Sequence, residues 1–129
     1  MKILIIEDDA VSWTILTTIL AKMPEHHVAA VESAERAWEW LDDPGRSFDV
    51  AFLDIVLPKL SGLDLLARLK ESAFHRSLQV IMCTAANDRT TITKAIELGA
   101  KHYLVKPFSE AAVVAKLQQI MGTAKTSAR

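Results

Sequence analysis

A chain of 129 residues, half of them hydrophobic and 24% charged, has the length of one domain and enough material to bury a substantial core. Fifteen basic residues against sixteen acidic leave a net charge of −1, so bulk electrostatics favour neither nucleic acid nor an anionic membrane. The single cysteine, Cys83, excludes an internal disulfide, no apolar run reaches membrane length, and the N-terminal MKILIIEDD is too short for a signal peptide, a combination that points to a soluble cytoplasmic protein.

The first apolar run, Ile3–Ile6, reads as a buried strand. Val11, Ile15, Leu16, Ile19 and Leu20 then recur at helical spacing on one face, with Pro24 beyond the helix end. Val28–Val31 is a second strand. Ala34, Ala37, Trp38 and Leu41 form the next helix, started by Ser33 and closed by Asp43-Pro44-Gly45. Trp40 lies off that face and is expected to be half exposed. Val50–Leu53 is the third strand; Ile55–Leu57 continues its apolar character, but Asp54 interrupts it, and a carboxylate there is costly to bury without partners. Ser61-Gly62 reads as a turn and helix entry, and a helix follows from about Leu63 to Lys70. Val80–Met82 is the fourth strand, and a helix carrying Ile92, Ala95 and Ile96 precedes Gly99. Tyr103–Val105 is the fifth strand. The last helix has Ser109 as N-cap, a stripe of Val113, Leu117 and Ile120, and Gly122 past its end, so residues 1–122 form the domain and the small, polar stretch 123–129 a flexible tail. The four histidines show no metal-ligand spacing and are expected at the surface. Cys83 is expected to be a small buried hydrophobe.

Five strands alternating with five helices predict an α/β fold with a doubly wound parallel sheet, because parallel neighbours need a crossover connection. In such a sheet the C-terminal strand ends share one rim, where ligands bind. The first strand ends in Glu7-Asp8-Asp9, the third in Asp54, the fourth in Thr84 and the fifth in Lys106-Pro107, so acids, a hydroxyl and an ammonium converge on that rim. At about 4 Å and an effective dielectric near 20, each like-charged carboxylate pair costs on the order of 4 kcal/mol. A proton or a cation must relieve that repulsion. Oxygen ligands without His or Cys favour a hard ion, Mg²⁺ over Zn²⁺, which recruits phosphate oxygens. Lys106 is a second positive charge opposite Asp54, which then becomes a candidate nucleophile for a phosphoryl group, with Thr84 offering a hydrogen bond to a phosphoryl oxygen. Taken singly, each residue has a plainer reading: the acids as favourable charge at a helix N-terminus, Asp54 and Thr84 as polar strand ends, Lys106 as a solvated lysine. Their joint arrangement carries the chemistry.

The motifs ILIIEDD, LDIVLPKLSG, CTA and YLVKPF, in this order and spacing from Lys2 to about Met121, resemble the receiver domain of two-component response regulators. The resemblance implies a flavodoxin-like sheet of strand order 2-1-3-4-5. It implies that Asp54 accepts a phosphoryl group from a sensor histidine kinase or a histidine phosphotransfer protein in a Mg²⁺-dependent reaction. Asp8 and Asp54 would hold the ion directly, Glu7 through water, and the backbone carbonyl of Val56 would complete the protein ligands. Lys106 would bridge Asp54 and the phosphoryl group across a cis Lys106-Pro107 bond. Thr84 and Tyr103 would act as the switch pair, altering the surface of the fourth helix, fifth strand and fifth helix. Such a domain is a self-modifying switch rather than an enzyme turning over a separate substrate, without direct nucleic-acid or membrane binding.

Several positions depart from the family pattern. Val56 and Ala86 are apolar where the family often carries groups that orient a hydrolytic water, which predicts a long-lived aspartyl-phosphate. Lys101 and His102 stand where paired receivers often have acids, so the usual dimer is doubtful, though a phosphorylation-dependent one is left open. Trp13 replaces a frequent Arg and would enlarge an apolar patch for phosphodonor docking. A haloacid dehalogenase type of phosphatase would need an Asp at position 56, and a flavin carrier a hydroxyl- and Gly-rich loop after the first strand; neither is present. The remaining alternative is a phosphorylation-independent interaction module of the same fold. No effector domain follows Gly122 in this sequence, which leaves a stand-alone regulator or a piece of a longer one.

Overall fold

The computed structural model describes residues 1–85 and 88–127. The chain runs β1 (Lys2–Ile6), α1 (Ala10–Ala21), β2 (His27–Val31), α2 (Ala34–Leu41), β3 (Val50–Asp54), α3 (Gly62–Glu71), a 3₁₀ turn (Ala73–His75), β4 (Gln79–Ala85), α4 (Arg89–Glu97), β5 (His102–Lys106) and α5 (Glu110–Ser127). The five strands form one parallel sheet of order β2-β1-β3-β4-β5, as the resemblance implies. Among the described residues, no helix is long and apolar enough to cross a membrane.

Alternate residues of each strand face opposite sides of the sheet. Leu4, Ile6, Ala51, Leu53, Val80 and Met82 pack with Ala37 and Leu41 of α2, Leu65, Leu66 and Leu69 of α3 and Ala95 of α4. On the other side Ile3, Ile5, Val50, Phe52, Ile81 and Cys83 meet Leu16, Ile19 and Leu20 of α1 and Val113, Leu117 and Ile120 of α5. The central strands are therefore apolar on both faces. The edge strands β2 and β5 are only partly covered, which is why Val28, Tyr103 and Val105 stay exposed.

The helices start where short polar side chains accept their orphan backbone N–H groups. Asp9, Ser33 and Asp88 cap α1, α2 and α4, and the Ser109 hydroxyl accepts the Ala112 N–H at 3.1 Å at the start of α5. Ser61 caps α3 in a reciprocal box with Asp64. Gly62 follows for a steric reason: a Cβ there would lie 2.1 Å from the Asp54 carbonyl oxygen and 2.8 Å from the Ile55 Cα. Only a residue without a side chain lets α3 begin so close to the end of β3.

Several expectations need correction. Val11 is 66% exposed, and Ser12 takes its place on the buried face of α1, because Ser12, Leu16 and Ile19 keep the spacing that Val11 breaks. Trp38 is half-buried rather than core, packed on the apolar cluster with the Arg68 guanidinium 5.1 Å from its ring centroid. His26 and His75 are buried. His75 is held by the Ser72 hydroxyl at 2.9 Å and the Leu41 carbonyl at 3.0 Å, tying the 3₁₀ turn to the end of α2. Finally, α5 continues through Gly122 to Ser127, so the helix does not end where the glycine predicts. One exposed glycine costs a helix only about 1 kcal/mol relative to alanine, too little to stop it. Of the predicted tail, residues 128 and 129 lie outside the described residues, as does Ala86.

Candidate functional site

The C-terminal ends of β1, β3, β4 and β5 converge on a cavity of about 480 Å³ whose lining includes Asp8, Asp54, Val56, Thr84 and Lys106. Glu7 is positioned by its own backbone, whose N–H donates to the Val31 carbonyl at 3.1 Å and so extends the β1–β2 ladder past Ile6. Carboxylate oxygens of Glu7, Asp8 and Asp54 lie within 4.8 Å of one another. Glu7 and Asp54 are buried, whereas Asp8 is exposed at the mouth.

One ammonium serves two of these carboxylates. Lys106 Nζ lies 2.5 Å from Glu7 Oε1 and 3.0 Å from Asp54 Oδ2, and the Lys106-Pro107 bond just after it is cis. The second Asp54 oxygen, Oδ1, accepts the Val56 N–H at 3.1 Å. Burial, and then the neighbouring Asp54 carboxylate, push the Glu7 carboxyl up to about 7 despite the opposing pull of Lys106. Burial works to lower the Lys106 ammonium, but its hydrogen bonds to Glu7 and Asp54 outweigh it and hold the group above its ordinary value. Three carboxylates against one ammonium leave the rim short of positive charge. The deficit, together with donors that are all hard oxygens, suits a divalent cation of the Mg²⁺ class.

Thr84 is 3% exposed, lines the cavity, and its hydroxyl donates to the Ala85 carbonyl at 3.3 Å. Tyr103 lies outside the cavity, 44% exposed on β5, on the strand hydrogen-bonded to β4. Cys83 is in register with Asp54 but buried among apolar side chains, and burial pushes its thiol far up. Of the other polar lining residues, Asp9 was legible as one of the acids ending the first strand and Ser12 was not. Asp9 caps α1, its Oδ2 accepting the Ser12 N–H at 3.0 Å, and its hydrogen bonds with Ser12 hold its carboxyl below the usual range. Ser12 reaches the cavity from the buried face of α1, and the strand-end rule cannot find a residue on a helix.

Residues 3–118 match the family model of the response regulator receiver domain. The chain belongs to that family. This receiver is 28% identical over 123 residues to the Helicobacter pylori chemotaxis protein CheY1, covering 95% of this chain and 98% of that one. It is 35% identical over 121 residues to the DNA-binding transcriptional regulator NtrC of Azospirillum brasilense, but spans only 24% of NtrC's length. Among solved structures it superposes, with a TM-score of 0.83 and 25% identity, on the receiver domain of a Pseudomonas aeruginosa sensor histidine kinase. That match covers 94% of this chain and 97% of the other, which holds a magnesium ion in its active-site cleft. The receiver is thus a domain of two-component signalling systems, whose partners are histidine kinases. Receivers of this family serve as switches rather than as enzymes of substrate turnover.

Proposed function

We propose that this receiver is switched by transfer of a phosphoryl group from a phosphohistidine of a sensor kinase or histidine phosphotransfer protein to Asp54. The carrying observation is the pair of bonds on Asp54: Lys106 on one oxygen and the Val56 N–H on the other aim a buried carboxylate at the cavity. An oxygen lone pair of Asp54 attacks phosphorus in line with the breaking P–N bond. The electron pair passes to the imidazole nitrogen, and the ring leaves neutral when its other nitrogen carries a proton. Lys106, already between Glu7 and Asp54, meets the charge gathering on the phosphoryl oxygens without prior rearrangement. Glu7, Asp8, Asp54 and the Val56 carbonyl are the residues that would hold Mg²⁺, and the magnesium in the kinase receiver's cleft supports that assignment. When bound, the ion neutralises the carboxylates and the phosphoryl oxygens together.

Thr84 is the residue that senses the new group: its hydroxyl can leave the Ala85 carbonyl for a phosphoryl oxygen. β4 and β5 are paired with Met82 opposite Tyr103, so a shift in β4 reaches Tyr103, whose exposed ring then turns inward and reshapes the surface of α4, β5 and α5. This is a shift between two existing conformations worth a few kcal/mol. Lys101 and His102 on that surface, with Lys116 of α5 near enough to His102 to act on its charge, disfavour pairing with a second identical face. The test is incubation with acetyl phosphate and Mg²⁺ followed by mass spectrometry. A phosphoryl adduct on Asp54, absent from a folded Asp54→Ala variant, is the expected result; no adduct, or one elsewhere, overturns the proposal.

A further inference from the structure

The rim opposite the acidic cluster, at the N-terminal ends of the strands, carries a second cavity of about 440 Å³, within the range of small-ligand sites. Its walls are apolar: Trp40 from the last turn of α2, Phe48 from the approach to β3, and Ala29 on the edge strand β2. Its polar groups are strongly biased. Among the described residues Lys2, His27 and Arg46 line it and no carboxylate does; the adjoining acids are engaged, Asp43 by the Arg46 guanidinium and Asp49 by the Lys2 N–H at 2.8 Å. The Arg46 guanidinium lies 3.9 Å from the centroid of the Trp40 ring and is steadied by the Asp43 carboxylate at 3.4 Å. Cation and aromatic face are therefore ordered before any ligand arrives.

The edge of β2 adds a third element. The His27 N–H donates to the Met1 carbonyl at 2.9 Å and the Val31 carbonyl accepts from Glu7 at 3.1 Å, so residues 27, 29 and 31 turn their peptide groups toward β1. By alternation Val28 turns its N–H and C=O to the open side of the sheet, beside the cavity it lines. An adjacent backbone donor and acceptor match the hydrogen-bonding edge of a heterocyclic base. Aromatic faces match its plane, and three basic side chains match a phosphate.

We infer that this cavity is a binding site for a nucleoside phosphate, its base between the Trp40–Phe48 wall and the Val28 backbone and its phosphate toward Lys2, His27 and Arg46. The site is separate from the Asp54 rim and does not depend on phosphoryl transfer there. The test is a titration of the ¹⁵N-labelled chain with AMP and GMP in EDTA, which keeps the acidic rim free of divalent ions, with adenosine, inorganic phosphate and a short acidic peptide as parallel arms. Saturable amide shifts at 27–29, 40 and 45–48 with a mononucleotide, much weaker with adenosine or phosphate alone, are expected. Trp40→Leu is expected to weaken binding about tenfold or more. Lys2→Gln and Arg46→Gln, both at exposed positions, are expected to weaken it about fivefold each, with an unchanged amide spectrum elsewhere in each variant as the control for the fold. The inference is overturned by any of four results: no shifts at these residues, shifts confined to the acidic rim, affinity unchanged in both Lys2→Gln and Arg46→Gln, or the peptide binding where nucleotides do not.

Discussion

Replacing Gly62 by alanine tests whether the start of α3 sets the position of the phosphoryl acceptor. The new methyl carbon would sit 2.1 Å from the Asp54 carbonyl oxygen, about 0.9 Å inside the 3.0 Å approach that such atoms tolerate. The obstacle is backbone on a fully buried strand, not the tip of a flexible side chain, so either α3 backs away or the Asp54 peptide rotates. The first breaks the 3.0 Å bond from the Gly62 N–H to the Ile55 carbonyl, and the second moves the carboxylate away from Lys106. Overpacking of this kind costs about 1–3 kcal/mol, and the strained bond adds about 1 kcal/mol. For a domain of this size that lowers Tm by roughly 8–15 °C. A displacement of about 1 Å at a reacting group can cost up to about 100-fold in rate. Calorimetry and the initial rate of labelling by acetyl phosphate measure the two effects. Gly122→Ala is the matched control: a Cβ there meets nothing within 4 Å inside α5, so it should stabilise by about 0.5–1 kcal/mol with labelling unchanged. A Gly62→Ala variant with native Tm and native labelling rate would refute the reasoning.

Four further outcomes are expected. Saturating Mg²⁺ should raise Tm by an amount equivalent to about 1–3 kcal/mol, and Asp8→Asn should abolish most of the rise; an equal rise in that variant would remove Asp8 from the site. Without metal, Lys106→Met should cost about 2–4 kcal/mol in a denaturant titration, because Glu7 and Asp54 are left buried against each other; a neutral result would mean the Lys106 contacts are idle. Val56 is 70% exposed at the cavity edge, and Val56→Asn should shorten the lifetime of the phosphorylated form, so unchanged decay by mass spectrometry counts against a water-orienting role at this position. Burial, then Lys116 and Lys101, lower the His102 imidazole below about 6.5. The unfolded chain therefore takes up this proton first, and the penalty grows as pH falls through about 6.5 toward the folded value. Melts of wild type and His102→Gln should diverge in favour of the variant on acidification, and parallel curves would exclude the effect.

The order of strands and helices was legible because the central strands are apolar on both faces and so read as short continuous apolar runs between helical patterns. The converging site was legible for a related reason: a polar residue ending an apolar run marks the rim of a parallel sheet. Glu7, Asp8, Asp54, Thr84 and Lys106 all obey that rule. Residues whose neighbours come from distant segments were not legible. His75 is buried because Ser72 and the Leu41 carbonyl satisfy both ring nitrogens, and nothing near position 75 in the sequence announces Leu41. Ser12 in place of Val11 depends on how α1 is rotated about its axis, which a stripe of isoleucines and leucines leaves open by one residue. Gly62 read as an ordinary turn glycine; its role is the exclusion of a Cβ by a strand eight residues earlier, a contact that only the folded chain creates.

The burial of Cys83 has a practical use. The thiol is the molecule's sole sulfhydryl, lies in register with Asp54 and is 2% exposed beneath α1 and α5, so a disulfide reagent in solution can reach it only when those helices lift from their face of the sheet. Its rate of modification is therefore a clock for breathing motions beside the acceptor, readable in the unaltered chain with no label introduced.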